Sequence, residues 1–288
     1  MQEQTDREQS SMTDAALMAW IDEDSPEGDL TTRLLGIGRQ KGRLVYRARE
    51  PMIACGTAEA ARMAELLGAK VLETAAEGTQ LGAGETLLRI EGDASSLHRL
   101  WKVGLGVLER SCAVATASRR MVDAAKSAHN KAQVLTTRKH PPGLKPLMLK
   151  AVICGGAEPH RRGLSDTILI FSQHRAFLDA SSLQERIAAI KRLEPKERIT
   201  AEAHNLSECL MLAEAGAEFI QLDKATVTEF AAAHDQLRQK FPGVLLAATG
   251  GIGAHNAADY VRAGALHLIT SWPYQAAPAE IAAEIIPV

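Results

Sequence analysis

The C-terminal half of the chain alternates short, almost wholly apolar runs with helix-like segments, and this alternation limits the folds open to it. The runs are rich in β-branched residues and cover 133–137, 167–171, 199–203, 219–222, 244–248 and 266–270. Strands that alternate with helices form parallel sheets, and strands that are apolar throughout are buried on both faces. The pattern predicts an α/β protein whose parallel strands form a β/α barrel.

The number of runs leaves the exact form of this barrel open. Six runs are clear, which is fewer than the eight strands of the commonest barrel. An incomplete or seven-stranded barrel and an open doubly wound sheet therefore remain alternatives.

The N-terminal half has a mixed pattern that predicts a small α+β domain. Residues 1–10 are polar and predict a frayed segment before a helix capped by Thr13. Strands are expected at 43–49, 70–74 and 86–91, with a helix from Thr57 that ends at Gly68. A long helical pattern from Ser95 to about Ala128 joins the two halves.

Composition excludes several classes of function. The net charge of -2 and an aromatic content of 4% argue against nucleic acid as a partner. The four cysteines form no C-x-x-C pair, so neither a zinc knot nor a disulfide framework is expected. The chain has no apolar run of the ~20 residues that span a bilayer and no signal peptide, so we expect no membrane partner and a cytoplasmic location.

Polar residues interrupt the apolar pattern at one end of the predicted strands. In parallel α/β folds the carboxyl ends of the strands meet at the face where ligands bind. The residues that fall at this end of successive strands are Arg138-Lys139-His140, Gln173-His174, Glu202, Asp223, Thr249-Gly250-Gly251 and Ser271.

Gly250-Gly251 has two explanations. A tight strand-to-helix turn would require glycines, and backbone amides that approach a phosphate at a helix N-terminus would require them too. A helix expected from Ala254 favours the phosphate explanation.

Glu202 and Asp223 are carboxylates at strand positions that should be buried. A buried carboxylate is costly without a cation or hydrogen-bond donors. An internal salt bridge with a barrel lysine or arginine would satisfy Glu202, and together the two side chains would suit Mg²⁺ or the hydroxyls of a sugar.

A basic stretch in a chain of slightly negative net charge predicts an anionic ligand. Arginine suits bidentate recognition of phosphate or carboxylate. A solvated surface loop is the alternative, and it is the preferred one for Lys145 and Lys150. The stretch consists of Arg138, Lys139, His140, Lys145, Lys150, His160, Arg161 and Arg162.

Taken together, these motifs resemble the quinolinate phosphoribosyltransferase family in order and spacing, from about Trp20 to Pro278. Within the family, 137–140, 160–165 and 173–177 are most similar to pyrophosphorylases associated with molybdenum transport. The matching segments are Glu23-Asp24, Gly28-Asp29-Leu30-Thr31-Thr32, Ala115-Thr116, Thr137-Arg138-Lys139, Pro142-Gly143, Cys154-Gly155-Gly156, His160-Arg161, Gly163-Leu164, Leu222-Asp223 and Gly250-Gly251-Ile252.

The resemblance implies a fold and an assembly. The fold would be an N-terminal open α+β sandwich domain at 1–115, then an incomplete seven-stranded parallel β/α barrel of the type II phosphoribosyltransferase kind at 116–274. Residues 275–288 would return to the N-terminal domain. The assembly would be a homodimer in which one subunit completes the site of the other.

The resemblance also implies roles for individual residues. Glu202, Asp223 and Lys139 would be catalytic, and the two carboxylates would hold Mg²⁺ beside the cosubstrate phosphoribosyl diphosphate. The anionic substrates would be bound by Lys102, Thr137, Arg138, Lys139, His160, Arg161 and Phe171, and the phosphates by Thr249, Gly250, Gly251, Thr270, Ser271 and Trp272.

The chain departs from the family where the acceptor binds. Lys102 occupies the position where the family has an arginine that reaches across the dimer. Phe171 occupies the position of a family lysine that helps to hold the dicarboxylate. Trp272-Pro273 and Glu158-Pro159 also replace family residues. We therefore expect transfer of phosphoribosyl, with release of pyrophosphate, to a small anionic acceptor other than quinolinate, linked to molybdenum transport.

Two alternatives remain at this point. The first is a true quinolinate phosphoribosyltransferase, which would form nicotinate mononucleotide and CO₂. The second is a non-catalytic protein whose basic pocket binds molybdate or another oxyanion, since such an anion also suits arginines and a helix N-terminus.

Overall fold

The computed structural model describes residues 11–179 and 182–288, which fall into two compact units. The frayed segment expected at 1–10 lies outside the described residues. The first unit comprises the described residues up to Arg119 together with His140–Gly156 and Pro273–Val288, and the second comprises Arg120–Lys139 and Ala157–Trp272. No helix in the described ranges is both long enough and apolar enough to cross a membrane.

The first unit contains the strands β1 (Lys41–Ala48), β2 (Met52–Ile53), β3 (Lys70–Thr74), β4 (Gln80–Leu81), β5 (Thr86–Asp93) and β13 (Ile281–Pro287). Its main sheet is antiparallel and has the order β13-β1-β5-β3, while β2 and β4 form a separate antiparallel pair. Its helices are α1 (Asp14–Asp24), α2 (Leu30–Leu34), α3 (Thr57–Leu66), the first part of α4 (Ala94–Ala128) and α5 (Lys145–Cys154).

Local sequence signals account for several of these elements. The Thr13 hydroxyl accepts a hydrogen bond from the Ala16 amide at 3.3 Å, so the expected cap of α1 is confirmed. Gly68 has a φ of +79° just beyond α3, a conformation that glycine adopts without strain. The apolar stripe of α4 is buried at Leu97, Leu100 and Leu108.

The second unit is a sheet of seven parallel strands with helices between them. Its strands are β6 (Gln133–Thr136), β7 (Glu158–Pro159), β8 (Leu169–Ile170), β9 (Thr200–Ala203), β10 (Phe219–Asp223), β11 (Leu245–Thr249) and β12 (His267–Thr270). Its helices are the end of α4, then α6 (Ser172–Arg175), α7 (Leu183–Leu193), α8 (Leu206–Glu214), α9 (Val227–Lys240), α10 (Ala257–Arg262) and a 3₁₀ turn that begins at Trp272.

The strand order identifies this sheet as a barrel with one gap. The order is β7-β6-β12-β11-β10-β9-β8, so the last strand of the unit pairs with its first strand, as in a barrel. The pair that would complete the circle, β7 with β8, is the one missing from the sheet. The incomplete seven-stranded barrel is therefore confirmed, and the open doubly wound sheet is wrong because it would not join these two strands.

The sheet curves, so that one of its faces is concave, and this face carries an apolar cluster. Phe219, Ala247 and Ile269 form a buried cluster with Leu135 packed against it. The rings of Phe219 and His160 lie 6.1 Å apart, although their strands β10 and β7 are separated by three others in the sheet. This concave surface is called the inner face below.

Lys150 lies in a buried ionic cluster of the first unit. Its ammonium group is 2.9 Å from Glu59 Oε2 and 2.9 Å from Glu77 Oε1, and the three side chains are 6%, 0% and 3% exposed. Burial alone would lower the pKa of Lys150, but the carboxylates of Glu77 and Glu59 outweigh it, and the pKa is raised. The surface-loop interpretation of Lys150 is therefore wrong, and so is its membership in an anion-binding stretch.

Replacing Lys150 with Met should destabilise the protein strongly, because two buried carboxylates would lose their common cation. Breaking a buried ion pair from one side costs roughly 3–5 kcal/mol. Lys145→Met, at an exposed position of the same helix, is the matched control. Urea denaturation gives both free energies of unfolding, and equal values for the two variants would contradict the structural role of Lys150.

Candidate active site

The register of the parallel strands places most of the expected site residues on one face. Glu202 pairs with Gln221 on the neighbouring strand, Asp223 pairs with Thr249, and Thr249 pairs with Ile269 of the inner-face cluster. Side chains alternate between the two faces of a strand, so positions at the carboxyl ends, or one residue before or beyond them, share the inner face where the register brings them together. These positions are Thr137, His160, Phe171, Glu202, Asp223, Thr249 and Ser271.

Glu202 is held by an amide and not by a cation. Its Oε2 atom accepts a hydrogen bond of 2.9 Å from Nε2 of Gln221. Within residues 11–179 and 182–288 no basic side chain forms an ion pair with Glu202, so the internal salt bridge considered for it is wrong. Arg175 instead reaches the Glu202 carbonyl oxygen at 3.4 Å and pairs with Glu208 at 3.0 Å.

Asp223 ends β10 next to an unusual backbone conformation. Its side chain is 20% exposed, and its Oδ2 atom lies 4.0 Å from His204 Nδ1 and 3.9 Å from Lys224 Nζ. Lys224 has a φ of 58°, a left-handed conformation that a lysine rarely adopts. Its amide donates to the Thr249 carbonyl at 2.8 Å, which keeps the chain close to β11 here. Strained backbone of this kind is common at functional sites.

The glycine turn after β11 packs directly against Asp223. Gly250 has a φ of +82°, and a β-carbon at this position would lie 2.5 Å from Asp223 Oδ1. Gly251 has a φ of +71°, and a β-carbon there would meet nothing within 4 Å. Both positions therefore need glycine for their backbone angles, but only Gly250 needs it for space.

The helix after this turn begins later than the sequence predicts. We expected it from Ala254, but α10 starts at Ala257. The side chain of Asn256 accepts from the Gly253 amide at 2.9 Å and donates to the Gly251 carbonyl at 3.1 Å. Asparagine competes for backbone groups in this way and so delays the helix.

The basic side chains of the second unit differ in burial. Arg161 is 7% exposed, and its guanidinium carbon lies 5.6 Å from the ring centroid of Phe171, a cation–π contact. Burial, with Arg138 nearby, lowers the pKa of the Arg161 guanidinium. Burial and the charge of Arg161 lower the pKa of His160 to about 4, so this imidazole is neutral at pH 7. Arg138 and Lys139 are exposed.

Two residues of the expected phosphate loop support the glycine turn. Thr270 belongs to the outer face of β12, where its hydroxyl donates to the Ile252 carbonyl at 2.6 Å and accepts from the Trp272 amide at 2.9 Å. The Trp272 ring lies against the turn, since a β-carbon on Gly253 would be 3.0 Å from its Cδ1 atom.

Some residues expected to bind the anionic ligand belong to the first unit. Lys102 is an exposed residue of α4 whose ammonium group lies 4.5 Å over the ring of Trp101. His140 and Lys145 belong to the same unit. The basic stretch that looks continuous in sequence is thus divided between the two units.

Two groups of side chains carry the kinds of donor atom that bind metal ions. In the described part of the chain, Cys55, Glu77 and Cys154 place their ligand atoms within 4.8 Å of one another. They do not fit a metal, because Glu77 already pairs with Lys150 and because burial, with a hydrogen bond to Cys154, raises the pKa of the Cys55 thiol well above its usual value. Glu202 and Asp223 offer hard oxygen donors on adjacent strands, which suits Mg²⁺.

Three residues near the carboxylates were missed in the sequence. Gln221 could have been found, since it is a polar residue inside an apolar run, two positions before Asp223. The contact of Arg175 with β9 depends on chain packing that the pattern does not reveal. The left-handed conformation of Lys224 has no sequence signal at all.

An interrupted β/α barrel with carboxylates, arginines and a glycine turn at the carboxyl ends of its strands has the arrangement of a barrel enzyme that acts on an anionic substrate. Models of the N-terminal and C-terminal domains of quinolinate phosphoribosyl transferase match residues 29–112 and 114–282. The chain therefore belongs to the quinolinate phosphoribosyltransferase family, and it is a phosphoribosyltransferase, or pyrophosphorylase, of that family.

Individual relatives agree with the family assignment, and a solved structure has the same fold. A protein of Rhodobacter capsulatus named as a ModD pyrophosphorylase is 41% identical over 251 residues, which are 87% of this chain and 96% of that protein. A protein of Pasteurella multocida with the same name is 35% identical over 93% of this chain and 96% of that protein. The nicotinate-nucleotide pyrophosphorylase structure from Ehrlichia chaffeensis has the same fold, with a TM-score of 0.86 and 22% identity over 96% of this chain and 100% of that one.

The close approach of Gly250 to Asp223 gives a prediction. Gly250→Ala and Gly251→Ala both force alanine into a left-handed conformation, which costs roughly 1–2 kcal/mol. Only Gly250→Ala also places a methyl group against the Asp223 carboxylate, so it should lose more stability and displace that side chain. Urea denaturation compares the two variants, and equal losses would show that the turn has room for a side chain at 250.

The low pKa of His160 predicts how stability depends on pH. An unfolded histidine titrates near pH 6.5, whereas folded His160 titrates at about 4. Between these values the unfolded chain binds a proton that the folded chain does not, so stability is full above pH 6.5 and falls as the pH drops towards 4. From pH 7 to 5 this should remove about 1–2 kcal/mol.

The measurement is urea denaturation at both pH values for the wild type and for His160→Gln. The variant should lose less stability than the wild type over the same interval, because the other titrating groups are common to both. A variant with the same pH dependence as the wild type would show that His160 is protonated normally.

Proposed function

We propose that the protein transfers phosphoribosyl from phosphoribosyl diphosphate to an anionic acceptor other than quinolinate, with release of pyrophosphate. The observation that carries the proposal is the stacking of Arg161 on Phe171. An apolar ring stands where the resemblance places a lysine for the dicarboxylate, and the guanidinium of Arg161 already lies over it. The acceptor side therefore lacks one cation, while both carboxylates of the sugar side are present.

The sugar side consists of residues from the continuous part of the sheet. Glu202 and Asp223 would orient the ribose and stabilise the positive charge that develops at C1, as carboxylates do for oxocarbenium-like states. They would also hold Mg²⁺, which would offset negative charge on the pyrophosphate when bound. The turn at Gly250-Gly251, with Thr249 and Ser271 beside it on the inner face, would bind the 5'-phosphate.

The acceptor side consists of residues that follow β6, β7 and β8. Arg138 and Arg161 supply permanent positive charge, while the neutral imidazole of His160 can donate or accept a hydrogen bond without adding charge. Thr137 and Phe171 complete this side on the inner face. Such a pocket matches an acceptor with less negative charge than a dicarboxylate.

The reaction we propose is a displacement at C1 of the ribose. The acceptor nucleophile forms a bond to C1, the bond between C1 and the pyrophosphate oxygen breaks, and its electron pair leaves with the pyrophosphate. Lys139, exposed just beyond β6, would offset charge on that leaving group. The protein thus contributes orientation and electrostatics and forms no covalent intermediate.

The proposal includes a homodimer, in which Lys102 would reach the site of the partner. Its exposed side chain is available for this, although a lysine lacks the bidentate fork of arginine. Leu30, Leu34 and Leu35, in and just after α2, are exposed apolar residues that a second subunit would cover. The link to molybdenum transport stays a prediction of the resemblance.

Calorimetric titration with phosphoribosyl diphosphate, with and without Mg²⁺, followed by quinolinate with product detection, tests the proposal. We expect Mg²⁺-dependent binding of the sugar diphosphate and no nicotinate mononucleotide. Phe171→Lys should restore affinity for quinolinate because it adds the missing cation. Phe177→Lys, at an exposed position in the same loop region, is the matched control and should not.

The outcomes distinguish the alternatives. Absence of sugar-diphosphate binding would reject the transferase and favour an oxyanion-binding protein, which titration with molybdate would then reveal. Formation of nicotinate mononucleotide by the wild type would reject the acceptor part of the proposal and identify a quinolinate enzyme.

A further inference from the structure

Gln221 is a buried polar residue between the two carboxylates of the inner face. It lies on β10, pairs with Glu202 of β9, and precedes Asp223 by two positions on the same face. It is 4% exposed. Its Nε2 atom donates to Glu202 Oε2 at 2.9 Å. Its Oε1 atom is buried and has no hydrogen-bond partner among the residues that the structure describes.

The Glu202 carboxylate fixes the orientation of this amide. The two ends of a glutamine amide are distinguished by their hydrogen-bond partners. A carboxylate only accepts hydrogen bonds, so a flipped Gln221 would set its own oxygen against Glu202 and lose the hydrogen bond. The nitrogen therefore faces Glu202, and the oxygen faces away from it.

The free oxygen requires a donor. A buried acceptor without a partner is unfavourable, and proteins retain few of them. The residue opposite Gln221 on the other neighbouring strand is Ala247, which offers no polar side chain. A hydroxyl group of a bound ligand would supply the donor at this place.

We propose that Gln221 determines specificity for the sugar, in that its Oε1 atom accepts a hydrogen bond from a ribose hydroxyl while its Nε2 atom holds Glu202 in position. The inference rests on the proposed function, since it concerns the ribose of phosphoribosyl diphosphate. A hydroxyl both donates and accepts, so it can bind the Gln221 oxygen and remain available to other groups. A ligand without hydroxyls cannot donate a hydrogen bond to this oxygen.

The test compares two ligands in one variant. Gln221→Met keeps the length of the side chain and removes both polar atoms. Titration with phosphoribosyl diphosphate in the presence of Mg²⁺ should show a dissociation constant roughly tenfold higher than in the wild type, as expected for one or two lost hydrogen bonds. Inorganic pyrophosphate, which has no sugar hydroxyl, should lose clearly less affinity, since for this ligand only the support of Glu202 is removed.

A surface glutamine provides the control substitution, and a second substitution of Gln221 provides a replacement for the first. Gln236→Met, on the exposed surface of α9, should change neither affinity. Should Gln221→Met fail to fold, Gln221→Asn shortens the side chain, withdraws the amide from Glu202 and permits the same comparison.

The titrations distinguish a failure of the proposal for Gln221 from a failure of the proposed function. Equal loss of affinity for both ligands would mean that Gln221 has only a structural role, and unchanged affinity for both would overturn the inference as well. Absence of phosphoribosyl diphosphate binding by the wild type would instead reject the proposed function.

Discussion

The parallel register of the second unit is the constraint on which the candidate site depends. Because β12 pairs with β6, the last strand of the unit returns to its first, and the sheet closes except between β7 and β8. Strand alternation then determines which side chains enter the concave face. A shift of one residue in β9 or β10 would turn Glu202 or Asp223 towards the helices. The positions of the candidate site residues therefore depend on the hydrogen-bonded register of the strands.

Burial then determines which partners the polar groups of the inner face require and which charges they can carry. Among the residues that the structure describes, Glu202 forms no ion pair, and it is held by the neutral amide of Gln221. Arg161 has little exposure and lies on an aromatic ring, and His160 avoids a second positive charge by remaining neutral. These arrangements keep the charges of the two carboxylates and the arginines available for a ligand, because they are only partly neutralised within the protein.

Sequence patterns predicted the long elements well and the short ones poorly. The apolar runs of β9 to β12 and the helix α4 were found because their periodicity extends over several residues. β7 was missed as a run because it has two residues, one of them proline, and only the resemblance implied a seventh strand. Lys150 was misjudged because the acids that bury it, Glu59 and Glu77, are distant in sequence. The placement of Glu202, Asp223 and Gly250 followed from the strand-end rule, whereas Lys224 has a backbone conformation that no composition predicts.

The gap in the barrel lies within the acceptor side of the proposed site, away from the sugar side. The residues proposed for the sugar follow β9 to β12, which form a continuous ladder, and there Gly250 cannot accept a side chain without moving Asp223. His160, Arg161 and Phe171 follow β7 and β8, the two-residue edge strands on either side of the gap. Few ladder hydrogen bonds depend on these edges, so a change of side chain at 171 would alter the proposed acceptor pocket without disturbing the register that holds the carboxylates. A family with this architecture can change its acceptor while the sugar-binding part remains the same.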